Sequence, residues 1–189
     1  MTLETDRLKI VPLTAGQFRM LLDDPSALTL TLGLARPPVP MDSETRLAME
    51  DLFNCAVADS VNWPWNTNWQ IILRSANIPV GSACFLRDPG IPDTVETGYG
   101  IDEEHRNKGY MTEALGALCG WAFAQPGIIV LQAQTAEDNR ASQKVLRNVG
   151  MVLKGPSVEG LLWHITKIRF YELKQRSNED NIGPGNTGT

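Results

Sequence analysis

Along the chain, apolar residues recur at two periods, and the changes of period mark the elements. "DRLKIVPL" sets Leu8 and Ile10 two apart before Val11 and a proline, the spacing of a first strand. Thr14 then stands as N-cap to "AGQFRMLLDD", an amphipathic helix. "PSALTLTLGLARPPVP" reads as a linker. "DSETRLAMEDLFNCAVAD" reads as a second helix capped by Asp42 or Ser43, with Leu47, Phe53 and Val57 on its apolar stripe. After a turn around "NWPWN", the runs "WQIILRS", "PVGSACFLR" and "TVETGYGI" are strands. The turns "ANIP" and "DPGIPD" that join them are short enough for an antiparallel meander.

The period then returns to 3.6. Between Lys108 and Phe123, Met111, Leu115, Leu118 and Ala122 form one stripe, and Ala114, Cys119, Trp121 and Phe123 fill most of the remaining surface, so this helix is buried. "GIIVLQAQT" is an interior strand. Strand, buried helix and strand make a βαβ unit with a right-handed crossover. "DNRASQKVLRNVG" is a further helix closed by Gly150, and "LLWHITKIRFYEL" supplies the final strand material. "SNEDNIGPGNTGT" has little to bury. The expectation is one domain over residues 1–176 and a disordered tail over 177–189.

Composition narrows the function. Across 189 residues, 42% hydrophobic and 21% charged content suits one soluble globular domain. A net charge of −5 without a long basic run argues against general nucleic-acid or anionic-membrane binding, so any anion site is local. Cys55, Cys84 and Cys119 form no C-x-x-C pair, lie in apolar stretches and read as small core hydrophobes in a reducing cytoplasm. No apolar run has the ~18 residues of a membrane span, and "MTLETDRLKI" lacks the core of a signal peptide. The expected protein is cytoplasmic, without a metal, and a monomer or homodimer.

The candidate chemistry lies in "EEHRNKGYMTEA", where a strand gives way to the buried helix. The first amides of a helix lack intrahelical partners and carry the positive end of its dipole, so they favour an anion. Arg106 and Lys108 add two cations there, and Gly109, having no Cβ, admits a phosphate close to the backbone. The pattern is neither a P-loop nor the dinucleotide fingerprint. The same residues also fit an ordinary turn with solvated charges, and by themselves leave both readings open.

With its flanks the stretch says more. "GYGIDEEHRNKGYMTEALGALCGWAF" followed by "TAEDNRASQKVLRNVGM" resembles the GNAT superfamily of acyl-CoA-dependent N-acyltransferases, and most closely the branch that contains the ribosomal-protein N-terminal acetyltransferases. The family's pyrophosphate loop is matched from Arg106 to Met111, except that Met111 replaces a small final residue. Its Asn-x-x-Ser is matched by Asn139 and Ser142, and the resemblance covers roughly residues 1–155. It implies an α+β fold with a mixed, partly splayed sheet of six to seven strands and helices on both faces. It also implies acetyl-CoA as acyl donor, bound by Arg106, Asn107, Lys108, Gly109, Tyr110, Met111, Thr112, Asn139 and Ser142, with Tyr99, Gly100 and Ile101 offering backbone groups to the pantetheine arm. Gly98 and Gly100 equally suit a kinked strand without a ligand.

The implied acceptor is a primary amine. A protein N-terminus leads by branch resemblance, a small-molecule amine such as an antibiotic or polyamine follows, and a non-catalytic acyl-CoA sensor is the reading from another class. An α-amine, with a pKa near ~7.7, needs less help from a base than a lysine near ~10.4. Glu96 is the first candidate base, on a strand where partial burial moves a carboxylate toward the useful range, although a cross-strand ion pair would also explain it. Gln134 stands where some relatives carry a glutamate. Glu159 and His164 are the remaining candidates. Ser142 shares a helix face with Val145, Leu146 and Val149 and needs a partner for its inward hydroxyl. The departing coenzyme sulfur is one and a back-bond to the helix another. Leu146 occupies the place of the tyrosine acid found in many relatives, which favours Ser142. Trp63, Trp65 and Trp69 suit either the core or an acceptor wall.

Overall fold

The structure is a computed structural model that describes residues 1–88 and 90–181. In chain order the elements are β1 (Leu3–Glu4), β2 (Leu8–Pro12), α1 (Ala15–Asp23), α2 (Pro25–Leu32), α3 (Ser43–Ala58), β3 (Trp69–Leu73), β4 (Ile78–Arg87), β5 (Thr94–Ile101), α4 (Tyr110–Ala124), β6 (Val130–Thr135), α5 (Arg140–Val149), β7 (Val152–Ser157), β8 (Gly160–Thr166) and α6 (Lys167–Asn181). Among the described residues one open sheet runs β1-β2-β3-β4-β5-β6-β8-β7, antiparallel throughout except for the parallel pair β5–β6.

Alternate residues of each strand face opposite layers, as the pleat requires. In β4, Ala83 and Phe85 enter the main core with Val95, Leu131, Trp163 and the inner side of α4. Cys84 turns the other way and packs with Phe18, Leu21, Leu22, Leu28 and Leu52 of α1–α3. Helices therefore cover both faces. The aromatic cluster belongs to the core: Trp65 and Trp69 lie 4.5 and 4.8 Å from Trp121, and both pack edge-on to Phe85. Trp63 starts the short 3-10 turn beside them.

Several expectations need correction. The sheet has eight strands rather than six or seven, because the two-residue β1 pairs with β2 and because β7 forms despite Gly155 and Pro156, with a register shift between Leu153 and Gly155. The expected linker contains α2, started by Asp24 as N-cap and Pro25 at the first position and closed by Gly33. In α3 the inward residues are Leu52 and Ala56, whereas Leu47 and Val57 are 64% and 58% exposed. Cys55 is likewise exposed. "KIRFYEL" is not strand but the start of α6, which docks Phe170 against Phe123 and reaches Asn181, inside the stretch expected as tail. Residues 182–189 lie outside the described residues. Thr14 closes a full capping box on α1, and Gly150 ends α5 in the left-handed region, both as the chain pattern predicts.

Candidate active site

β5 and β6 pair only over Thr94–Glu96 and Val130–Gln132. Beyond Glu96, β5 continues to Ile101 bonded to β4 alone, while β6 continues to Thr135 bonded to β8. The strands diverge, and a cavity of about 530 Å³ opens on the α4–α5 side. It is lined by Tyr99, Gly100 and Ile101 from β5, by Arg106, Asn107, Gly109, Tyr110, Met111 and Thr112 from the loop and first turn of α4, and by Asn139 and Ser142 from α5. Residues spread over more than forty positions of the chain thus meet around one space. Lys108 is the exception among the residues expected to hold the cofactor. It does not line the cavity, and its carbonyl accepts a hydrogen bond from Arg7 Nη1 at 3.0 Å.

The loop is shaped by backbone. Asn107 and Gly109 both take positive φ, 61° and 79°. Glycine adopts that region without penalty, and asparagine tolerates it better than most residues. Gly109 is the N-cap of α4 and supplies no side chain to cap it, so the first-turn amides keep their unpaired donors. Met111 is 4% exposed and packs in the core, so the larger residue at that place turns away from the loop. From beneath, Arg7 holds the loop. It pairs with Glu113 at 2.6 Å, and its guanidinium lies 4.7 Å from the centre of the Tyr110 ring. From the α2 side, Arg36 pairs with Glu104 and approaches Asp102 at 3.9 Å. Pattern reasoning did not single out His105, which is 7% exposed and also faces the cavity, nor Lys144, Val145 and Asn148 of α5. The last three fall at i+3, i+4 and i+7 from Ala141, which also lines the cavity, and that helical spacing was the available signal.

Asn139 caps α5, its Oδ1 accepting from the Ser142 amide at 3.0 Å. Ser142 Oγ lies 2.8 Å from Tyr99 Oη, and Tyr99 Oη also reaches the Ser142 carbonyl at 3.3 Å. Burial pushes the Tyr99 phenol up to about 12, against a smaller opposing effect of its bond to Ser142, so it stays neutral at physiological pH.

Glu96 sits where the ladder ends, paired across to Gln132. It alternates with the core residue Val95 and so faces the other side of the sheet from Tyr99. Its carboxylate accepts from Gln132 Nε2 at 3.0 Å and from Gln134 Nε2 at 3.1 Å, and no cation pairs with it among the described residues. The ion-pair explanation for Glu96 therefore falls away. His164 lies beyond Gln132 in the same row, and burial, followed by the charge of Lys154, lowers its pKa. Glu159 is exposed on the β7–β8 turn.

Residues 7–152 match a family model described as an acetyltransferase (GNAT) domain. An uncharacterized N-acetyltransferase, YjdG, of Bacillus subtilis (strain 168) is 34% identical over 101 residues, which are 53% of this chain and 60% of that protein. The chain thus spans less than two thirds of that relative's length. Among solved structures, ribosomal-protein-S5-alanine acetyltransferase from Vibrio fischeri superposes with a TM-score of 0.61 at 16% identity, over 88% of this chain and 97% of that one. Spermidine N-acetyltransferase from Vibrio cholerae, in complex with CoA and spermine, gives 0.60 at 16% identity, over 88% and 99%. At these identities the likeness is one of fold.

Proposed function

This chain belongs to the acetyltransferase (GNAT) domain family, and on that premise we propose that it moves an acetyl group from acetyl-CoA to a primary amine, with a protein N-terminal α-amine as the leading acceptor. The observation that carries the reading is the divergence of β5 from β6 beside an uncapped helix start. One continuous space has anion-binding amides at one wall and a serine hydroxyl at another.

The residues present fit the donor. The first-turn amides of α4, with the charge of Arg106, would hold its pyrophosphate, and the unpaired edge of β5 from Tyr99 to Ile101 would meet the amides of its pantetheine arm. A Cβ built on Gly100 meets nothing within 4 Å, so the sheet face that carries Glu96 is open at that position. When bound, acetyl-CoA supplies the thioester that the amine attacks. Glu96, at the apex of the divergence, would take the proton the amine sheds. Ser142 would donate a hydrogen bond from the opposite face to the sulfur as charge collects there.

The sheet face that carries Glu96 supports this choice of acceptor class. Its row runs Glu96, Gln132 and His164, with Gln134 one step along β6, so it offers one carboxylate among neutral groups. A polyamine with several charges would need several carboxylates, whereas one α-amine needs one. The test measures free thiol released from acetyl-CoA with three acceptors. These are peptides with a free α-amine, the same peptides blocked at the N-terminus but carrying lysine, and spermidine. Turnover with the first set alone is expected. Turnover only with spermidine would replace the acceptor assignment, and tight acetyl-CoA binding without turnover on any amine would favour a sensor.

A further inference from the structure

We propose that Tyr99 is a positioning residue, whose hydroxyl donates to Ser142 Oγ and so leaves the serine's own hydrogen free to point into the cavity at the departing sulfur. The inference rests on the role given to Ser142 above.

Two hydroxyls 2.8 Å apart share one hydrogen bond and hold two hydrogens between them. If serine donates, its hydrogen is spent on Tyr99, and the phenol hydrogen turns to the Ser142 carbonyl at 3.3 Å. If tyrosine donates, the serine hydrogen is available to the cavity. Negative charge developing on a sulfur in the cavity favours the second arrangement, since only that one presents a donor to it. The pair therefore needs a phenol that keeps its proton. Burial of Tyr99 ensures this, and for the same reason Tyr99 gives no proton away during the reaction.

The surroundings leave Ser142 dependent on this contact. It is the third residue of α5, so its place is held by the bond of its amide to Asn139, while its hydroxyl has no partner other than Tyr99 among the described residues. The back-bond to a preceding helical turn, open on the sequence alone, is not made. Without the phenol, nothing in the described structure orients the serine hydrogen. Tyr99 is itself fixed in β5, whose backbone pairs Tyr99 with Ala83 of β4 in the core. The strand that lines the cavity thus also sets the direction of the donor on the facing helix.

The experiment titrates the thiol of coenzyme A bound to the enzyme, followed by the ultraviolet absorbance of the thiolate, and needs no acceptor. Wild type should hold that thiol more acidic than in free coenzyme A. Ser142→Ala and Tyr99→Phe should each weaken its ionisation constant about tenfold, the effect of one hydrogen bond to a charged group, and the double variant should go no further than either single one. Calorimetry should show coenzyme A affinity within about threefold of wild type in all three. An effect of Ser142→Ala without one of Tyr99→Phe overturns the positioning role and leaves the serine assignment standing. No effect of either variant withdraws both. If Tyr99→Phe loses coenzyme A altogether, Tyr99 is a wall of the cavity and the proposal fails.

Discussion

At the scale of single residues, the site depends on places where a side chain is missing as much as on those where one is present. Gly109 holds a positive φ that strains any other residue, and a Cβ there would already touch Arg7 at 3.4 Å. Gly109→Asp adds that strain and sets a negative charge against the amides proposed to hold an anion. Coenzyme A binding, read by calorimetry on the folded variant, should fall below detection. Glu96→Gln keeps the shape of the residue and removes its basicity. It should lower kcat by ~10²-fold near neutral pH, with the defect shrinking as pH rises, because more of the amine is then already neutral. A defect constant across pH would assign Glu96 to packing. The loop, Asn139 and Ser142 were legible in the sequence because their meaning lies in spacing along the chain. The contact of Tyr99 with Ser142 was not, since nothing local links a strand residue to one a helix and a strand further on.

At the scale of elements, Arg7 and Glu113 show how a strand end steadies a helix start. Burial alone would raise the Glu113 carboxyl, but bonds from the Thr5 hydroxyl and from the Arg7 amide and guanidinium outweigh it and hold it below the usual range. A depressed carboxylate adds stability above its unfolded value of about 4.3, and that stability is lost as pH falls through the folded value. Melting temperature should therefore drop more steeply on acidification in wild type than in Glu113→Gln, and parallel curves would show that the contact is neutral to folding. The elements that sequence reasoning missed have physical causes. Thr29 and Thr31 weaken the helical signal of α2, although Asp24 and Pro25 announce its start. Ile168 and Phe170, two apart, imitate a strand at the head of α6. There Ile168 is exposed, and Leu173, three residues after Phe170, packs against the core instead. β7 carries a glycine and a proline that ordinarily argue against a strand, but at the sheet edge its pairing can shift around them.

At the scale of the whole molecule, two helical layers meet a sheet whose halves pair over only three residues of β5 and three of β6. Each half is internally antiparallel and held by neighbouring strands, so the narrow seam does not threaten the fold. Arg36 ties the segment before α4 to the α2 side, and Arg7 ties the head of α4 to the start of β2. The seam also has a cost outside catalysis. From Thr97 to Ile101, β5 carries an edge of unpaired amides and carbonyls in the middle of a sheet, and such an edge is a template for any extended chain that reaches it. A ligand lying along it would act as a removable strand. The protein should then be most prone to self-association when starved of that ligand. Light scattering on heating should set in at a higher temperature with coenzyme A present, and the gain should vanish in Gly109→Asp, which cannot hold the ligand in place. By this account bound coenzyme A would protect the folded chain from self-association, independently of any turnover.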